Sequence, residues 1–141
     1  MRINWLAVLI SAIAVFLLRY LRNAHFGGAD WGHFIVAAAA AIQGDHRAAG
    51  LGLVNALAVT IVLGWLIGRL RDRVLATGLG SGLLAAIGFA VTTVSAEYIW
   101  GQASLRTFLT DAAYYLLAYT LAGAILGAMA PKTPVKKPVV V

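Results

Sequence analysis

Four long apolar runs, 4–21, 50–68, 74–99 and 108–130, alternate along the chain with short clusters of Arg or Lys. Inside each run the apolar positions are continuous, without the strict polar/apolar alternation that a membrane β-barrel imposes on its strands. Backbone hydrogen bonding must then close within each segment, so the runs predict α-helices. Three of them reach the roughly 20 residues that carry a helix through about 30 Å of hydrocarbon. The first approaches it once Tyr20 and Leu21 are counted beyond Arg19. The fold class expected is all-α, an integral membrane four-helix bundle forming a single transmembrane domain over 1–130, followed by a tail at 131–141.

Composition strengthens this. With 62% hydrophobic and 11% charged residues, a 141-residue chain would expose too much apolar surface to persist in water. Cysteine is absent, which excludes disulfides, thiolate metal sites and cysteine nucleophiles. The net charge of +6 raises nucleic acid as a partner, but the basic residues cap apolar runs and form no solvated face. Anionic headgroups and topology account for them better. Met1 and Arg2 before an apolar run imitate a signal peptide, yet no small-residue cleavage site precedes Arg19, so an uncleaved first helix is expected.

Basic residues also predict orientation. Four spans put Arg2, Arg69, Arg71, Arg73, Lys132, Lys136 and Lys137 on one side, and Arg19, Arg22, Arg47 and Arg106 on the other. Seven against four predicts that both termini are cytoplasmic. Arg19 and Arg22 then have to snorkel to the outer headgroups. Arg69, Arg71, Arg73, Lys132, Lys136 and Lys137 are the expected partner or lipid contacts. The tail's three prolines end the last helix and favour extended backbone.

Between Leu21 and Ala49 the pattern breaks down. Gly27, Gly28 and Gly32 supply turns, while Phe34 to Ile42 is a nine-residue apolar piece too short to span, read as an interfacial or re-entrant helix or as an early extension of the second helix broken at Gly44-Asp45. His25, His33 and His46 fall in this segment. None shows the spacing of a zinc pair, so solvated or interfacial histidine is the expectation, with no metal and no cofactor. Trp5, Trp31, Trp65 and Trp100 stand near the ends of apolar runs, where amphipathic rings anchor at headgroup depth.

Small residues mark the packing faces. At about 100° per residue, Gly78, Ser81, Gly82, Ala85, Gly88, Thr92, Ser95 and Ala96 share one arc of the third helix, with Phe89 the only large residue among them. Leu83, Ile87, Val91, Val94 and Tyr98 occupy the other side, expected to meet lipid. Gly64 and Gly68, and Gly123 and Gly127, repeat the small-xxx-small spacing.

Glu97, Arg106 and Asp111 bracket the turn between the third and fourth helices and form the expected charge cluster. Asp111 shares a face with Tyr115, Ala118 and Ala122, so it points into the bundle. A structural pin between helices is the first reading of the cluster; proton or cation handling is the second.

Two stretches carry a family resemblance: Asn4 to Leu9, and Gly80 to Met129 with its Gly88-Phe89-Ala90-Val91-Thr92-Thr93 and Phe108-Leu109-Thr110-Asp111-Ala112-Ala113-Tyr114 segments. They resemble a family of small bacterial four-helix membrane proteins known only as a domain of unknown function, the seventeen-sixty-one family. The resemblance implies topology and no chemistry.

No nucleophile–base pair or metal-ligand set assembles from the polar inventory, so no catalytic residue and no enzyme are expected. The leading functional expectation is an accessory or structural subunit. It would dock to partner membrane proteins, or to itself, through small-residue helix faces. The alternative is a small-solute or ion transporter acting as a homo-oligomer, with Asp111, Glu97 and the Thr92/Ser95 side of the third helix along its path.

Overall fold

A computed structural model of the chain describes residues 4–26, 46–70, 74–101 and 103–130. Among the described residues four helices form: α1, Trp5–Phe26; α2, His46–Arg69; α3, Leu75–Trp100; and α4, Leu105–Ala128. The described residues contain no strand. Helices α2, α3 and α4 are each long and apolar enough to cross a membrane, whereas the apolar part of α1, Trp5–Arg19, is shorter.

The molecule is built with its bulk outward. Leu6, Leu9, Ile13 and Leu17 of α1, Leu84 and Phe89 of α3, and Leu109 and Leu117 of α4 are exposed, while Ala7, Ala12, Ala56, Ala86, Ala118 and Ala122 are buried. Hydrocarbon is the solvent that suits such a surface, and small interior residues let helix backbones approach and gain dispersion contacts. Two buried hydroxyls are satisfied by carbonyls. Ser11 Oγ donates to Ala122 O at 3.5 Å, and Thr60 Oγ1 donates to Ala56 O at 2.9 Å or Leu57 O at 3.1 Å.

The ends of the helices show why the chain turns where it does. Asn4 Oδ1 accepts from the Leu6 and Ala7 N–H groups, and its Nδ2 donates to Met129 O at 2.8 Å, fastening the start of α1 to the end of α4. Ser104 caps α4 by accepting from Thr107 N–H at 3.1 Å. The third turn is therefore tighter, and α4 starts three residues earlier, than the 108–130 run suggests. Helix α1 continues to Phe26 and α2 begins at His46, so both outlast their apolar runs. Residues 34–42 lie outside the described residues, as do Arg71, Arg73 and the 131–141 tail with Lys132, Lys136 and Lys137.

Helices α3 and α4 meet along a glycine seam. A methyl group on Gly78 would strike Gly123 O and come within 2.8 Å of Gly127 Cα; one on Gly82 would strike Tyr119 O. From the other side, one on Gly123 would strike Gly78 O, and one on Gly127 would lie 2.8 Å from Val74 O. Gly64 is looser, since its Cβ would stand 3.4 Å from Leu126 and 3.6 Å from Val8 side-chain atoms. Gly68 is half-buried.

Helix α3 is not α-helical throughout. Ala86–Val91 is a π segment between Leu75–Ala85 and Thr92–Trp100. A π turn takes in one extra residue, so every later position is rotated by about 100° from the regular wheel. The buried series runs Gly78, Gly82, Ala85, Ala86, Ala90, Val94. This corrects the expected packing face. Gly88 is exposed with nothing within 4 Å of its Cβ position, and Thr92, Ala96 and Phe89 are exposed too, while Val94 turns inward. Thr92 and Thr93 hydroxyls donate to the carbonyls of Gly88 and Phe89, so the displaced backbone acceptors find partners.

Candidate functional site

Beyond the π segment the helices stand apart around an open cavity of about 280 Å³. It occupies the end of the bundle where α1 and α3 finish and α2 and α4 begin. Every helix contributes at helical spacing: Val15, Phe16 and Arg19 from α1; Gly52, Asn55, Ala56 and Val59 from α2; Ala90, Thr93, Val94 and Glu97 from α3; Asp111, Tyr114, Tyr115, Ala118 and Tyr119 from α4. From Asp111 to Tyr119 the α4 wall rises by about 12 Å along the helix axis.

Chemistry changes with depth. Arg19 and Glu97 are exposed residues of the lining. Asp111 stands six residues inside α4, half-buried, with its Oδ1 shielded from solvent. Tyr114, Tyr115 and Tyr119 line the deeper wall edge to face, with ring centroids 5.0 Å and 6.3 Å apart. Thr93 Oγ1 gives its proton to Phe89 O at 2.7 Å, which leaves its lone pairs as acceptors.

The expected charge cluster is therefore rearranged. Glu97 and Asp111 border the cavity, but Arg106 does not; it is exposed in the first turn of α4. The spacing explains this, because five residues separate Arg106 from Asp111 and about 500° of rotation puts them on different faces. Arg19 supplies the cation instead, one α-helical turn after Val15. Asn55, Thr93 and the tyrosine series also join a site that the sequence reading centred on carboxylates. Their common signal is i, i+3, i+4 placement of polar residues within apolar runs.

The other candidates are dispersed. Arg69 lies over the Trp65 ring at 4.4 Å, a cation–π pair at the opposite end of the bundle from the cavity. His46 is exposed at the start of α2, while His33 and the His25 side chain lie outside the described residues. An apolar hollow of about 370 Å³ between α2 and α3 shares Val59, Phe89 and Tyr119 with the polar cavity as a common wall.

Residues 6–127 match the family described as Protein of unknown function (DUF1761). The chain belongs to this family. The match runs through all four helices, including the glycine seam, the π segment and the walls of the cavity. No curated protein and no solved structure gives a significant match. DUF1761 brings no assigned activity, so chemistry has to be argued from the cavity.

Proposed function

We propose that this DUF1761 protein is a membrane carrier of a small polar solute and that the cavity around Asp111 is its binding site. One observation carries the reading: charged and polar side chains from four helices, Arg19, Asn55, Thr93, Glu97 and Asp111 among them, line one open cavity. Ionisable groups are costly in hydrocarbon and are kept there for pathways and binding sites. At about 280 Å³ the cavity lies at the small end of ligand pockets. The glycine seam supplies the barrier a carrier needs on the far side. A π interruption midway along α3 is the kind of helix irregularity that accompanies functional sites.

The accessory-subunit expectation rests on small-residue faces that are free to dock. Gly78, Gly82, Gly123 and Gly127 are occupied with one another inside the chain, which favours the carrier reading. With α1 crossing as the fourth span and both termini cytoplasmic, the cavity faces the outer side of a bacterial inner membrane. Homo-oligomerisation remains part of the proposal, since four helices give a carrier little mass for alternating access.

Labelling provides the test, because the chain has no native cysteine. In sealed vesicles Thr93→Cys reacts with a membrane-impermeant maleimide from one side only, and at least tenfold faster than Ser11→Cys in the packed half. Equal rates at the two positions refute a water-accessible cavity and the carrier reading with it.

A further inference from the structure

We infer that the solute of this cavity is a single-chain amphiphile, with its polar head in the cavity and its alkyl chain in the neighbouring apolar hollow. The inference rests on the carrier reading and narrows its small polar solute to one that bears a chain. Three helices join the two spaces in register. On α2, Asn55 lines the cavity, Val59 lines both spaces and Leu63 lines the hollow, each about 6 Å beyond the last along the axis. On α3 the same order is Thr93, Phe89 and Ala85, and on α4 Tyr115 lines the cavity and Tyr119 both spaces. Each helix therefore passes from the cavity to the hollow through one shared residue.

The order of the two spaces is that of an amphiphile in one leaflet. The polar cavity lies at an end of the bundle, and the hollow follows it toward the middle of the α2 and α3 spans, where the surrounding solvent is hydrocarbon. Buried Leu63 and Ala85 line the hollow together with exposed Ala58, Val62 and Leu66, so it opens outward. A chain enters there from the bilayer without crossing water. A hydrocarbon alone would satisfy only half of the site, because at the cavity it would displace water from Asn55, Glu97 and Asp111 and offer no hydrogen bond in return. Size sets the proportions. At about 30 Å³ per water-sized or methylene-sized group, the cavity of about 280 Å³ has room for on the order of nine and the hollow of about 370 Å³ for on the order of a dozen. These suit a compact head on one medium-length chain.

The experiment measures how fast maleimide labels Thr93→Cys in sealed lipid vesicles, where no detergent competes for the site. Dodecylglycerol, dodecyltrimethylammonium and dodecanoate, each at a small mole fraction of the lipid, present one chain with three heads. At least one of them slows labelling at least tenfold, while glycerol, tetramethylammonium, acetate and dodecane leave the rate within about twofold. Ala58→Trp and Val62→Trp each place a large ring at the exposed rim of the hollow and abolish the protection; should one fail to fold, the other carries the test. Leu117→Trp, on the exposed side of α4 and in neither lining, keeps it. Any effect of the amphiphile on vesicle surface charge is common to all these backgrounds. A chain-free head that protects as well as its dodecyl counterpart overturns the inference, and so does protection that survives both rim substitutions. When Thr93→Cys is labelled from water and no amphiphile slows it, the solute class is refuted and the carrier reading stands.

Discussion

The two halves of α3 face the same neighbour and treat it in opposite ways. Along Leu75–Ala85 the helix lies against α4 so closely that Gly78 and Gly82 have no room for a methyl group. Along Thr92–Trp100 it borders the cavity, whose lining takes in Thr93 and Glu97 from this helix and Asp111 and Tyr115 from α4, and it meets α4 through Tyr98 stacked on Phe108 at 5.3 Å. Side-chain size accounts for the contrast. Glycine on both helices removes everything between two backbones, whereas tyrosines and carboxylates hold them apart. Helix pairing in this bundle therefore creates a closed end and an open end from one continuous pair of segments.

The largest expected effect comes from breaking the closed half. Gly78→Leu drives a side chain into Gly123 and Gly127 backbone and should cost about 3 kcal/mol or more of stability in detergent, read by thermal unfolding. Gly88→Leu, in the open, should be neutral or stabilise by up to about 1 kcal/mol, because leucine is the better helix former. Similar losses at both positions would remove the seam from the account.

The next test sharpens the phase relation between the halves. Deleting Gly88 removes the extra residue of the π turn and leaves an ordinary α-helix whose two halves still face α4, so the protein stays folded and Thr93→Cys keeps its aqueous labelling. Deleting Leu117 from α4 has no such outlet. It turns Asp111 and Tyr114 by about 100° relative to Gly123 and Gly127, and labelling at Thr93→Cys should change at least tenfold.

Smaller effects are expected at the helix ends. Asn4→Ala loses both the α1 cap and the bond to Met129 O, for about 1 to 2 kcal/mol, seen as a lower melting temperature. Ser104→Ala should cost about 1 kcal/mol and loosen the start of α4 on the open side. Smallest of all, Gly88→Ala is expected to be neutral or to stabilise by about 0.5 kcal/mol, because the site has space and alanine is the better helix former.

Much of the bundle was legible in the residue pattern, and the reasons for the rest are local. Continuous apolar runs announce helices, and Gly78, Gly82, Gly123 and Gly127 announce the seam, because close approach needs small residues wherever it occurs. The wheel fails after Ala86 because a fixed 100° step cannot anticipate a π turn; Gly88 and Thr92 then read as inward when they are outward, and Val94 the reverse. Arg106 was paired with Asp111 by proximity along the chain, though their five-residue separation already sets them on different faces. Arg19 looked like a headgroup anchor because only the assembled bundle brings α1 beside Asp111. Asn4 gave no warning either, since its partner lies 125 positions away.

That tie between Asn4 and Met129 makes the order of the helices an accident of translation. A chain ligated there and reopened between Gly101 and Ser104 would lead with α4 and finish with α3, retaining every packed neighbour. Circular permutants of this protein should therefore assemble, provided the insertion machinery accepts the new sequence of spans.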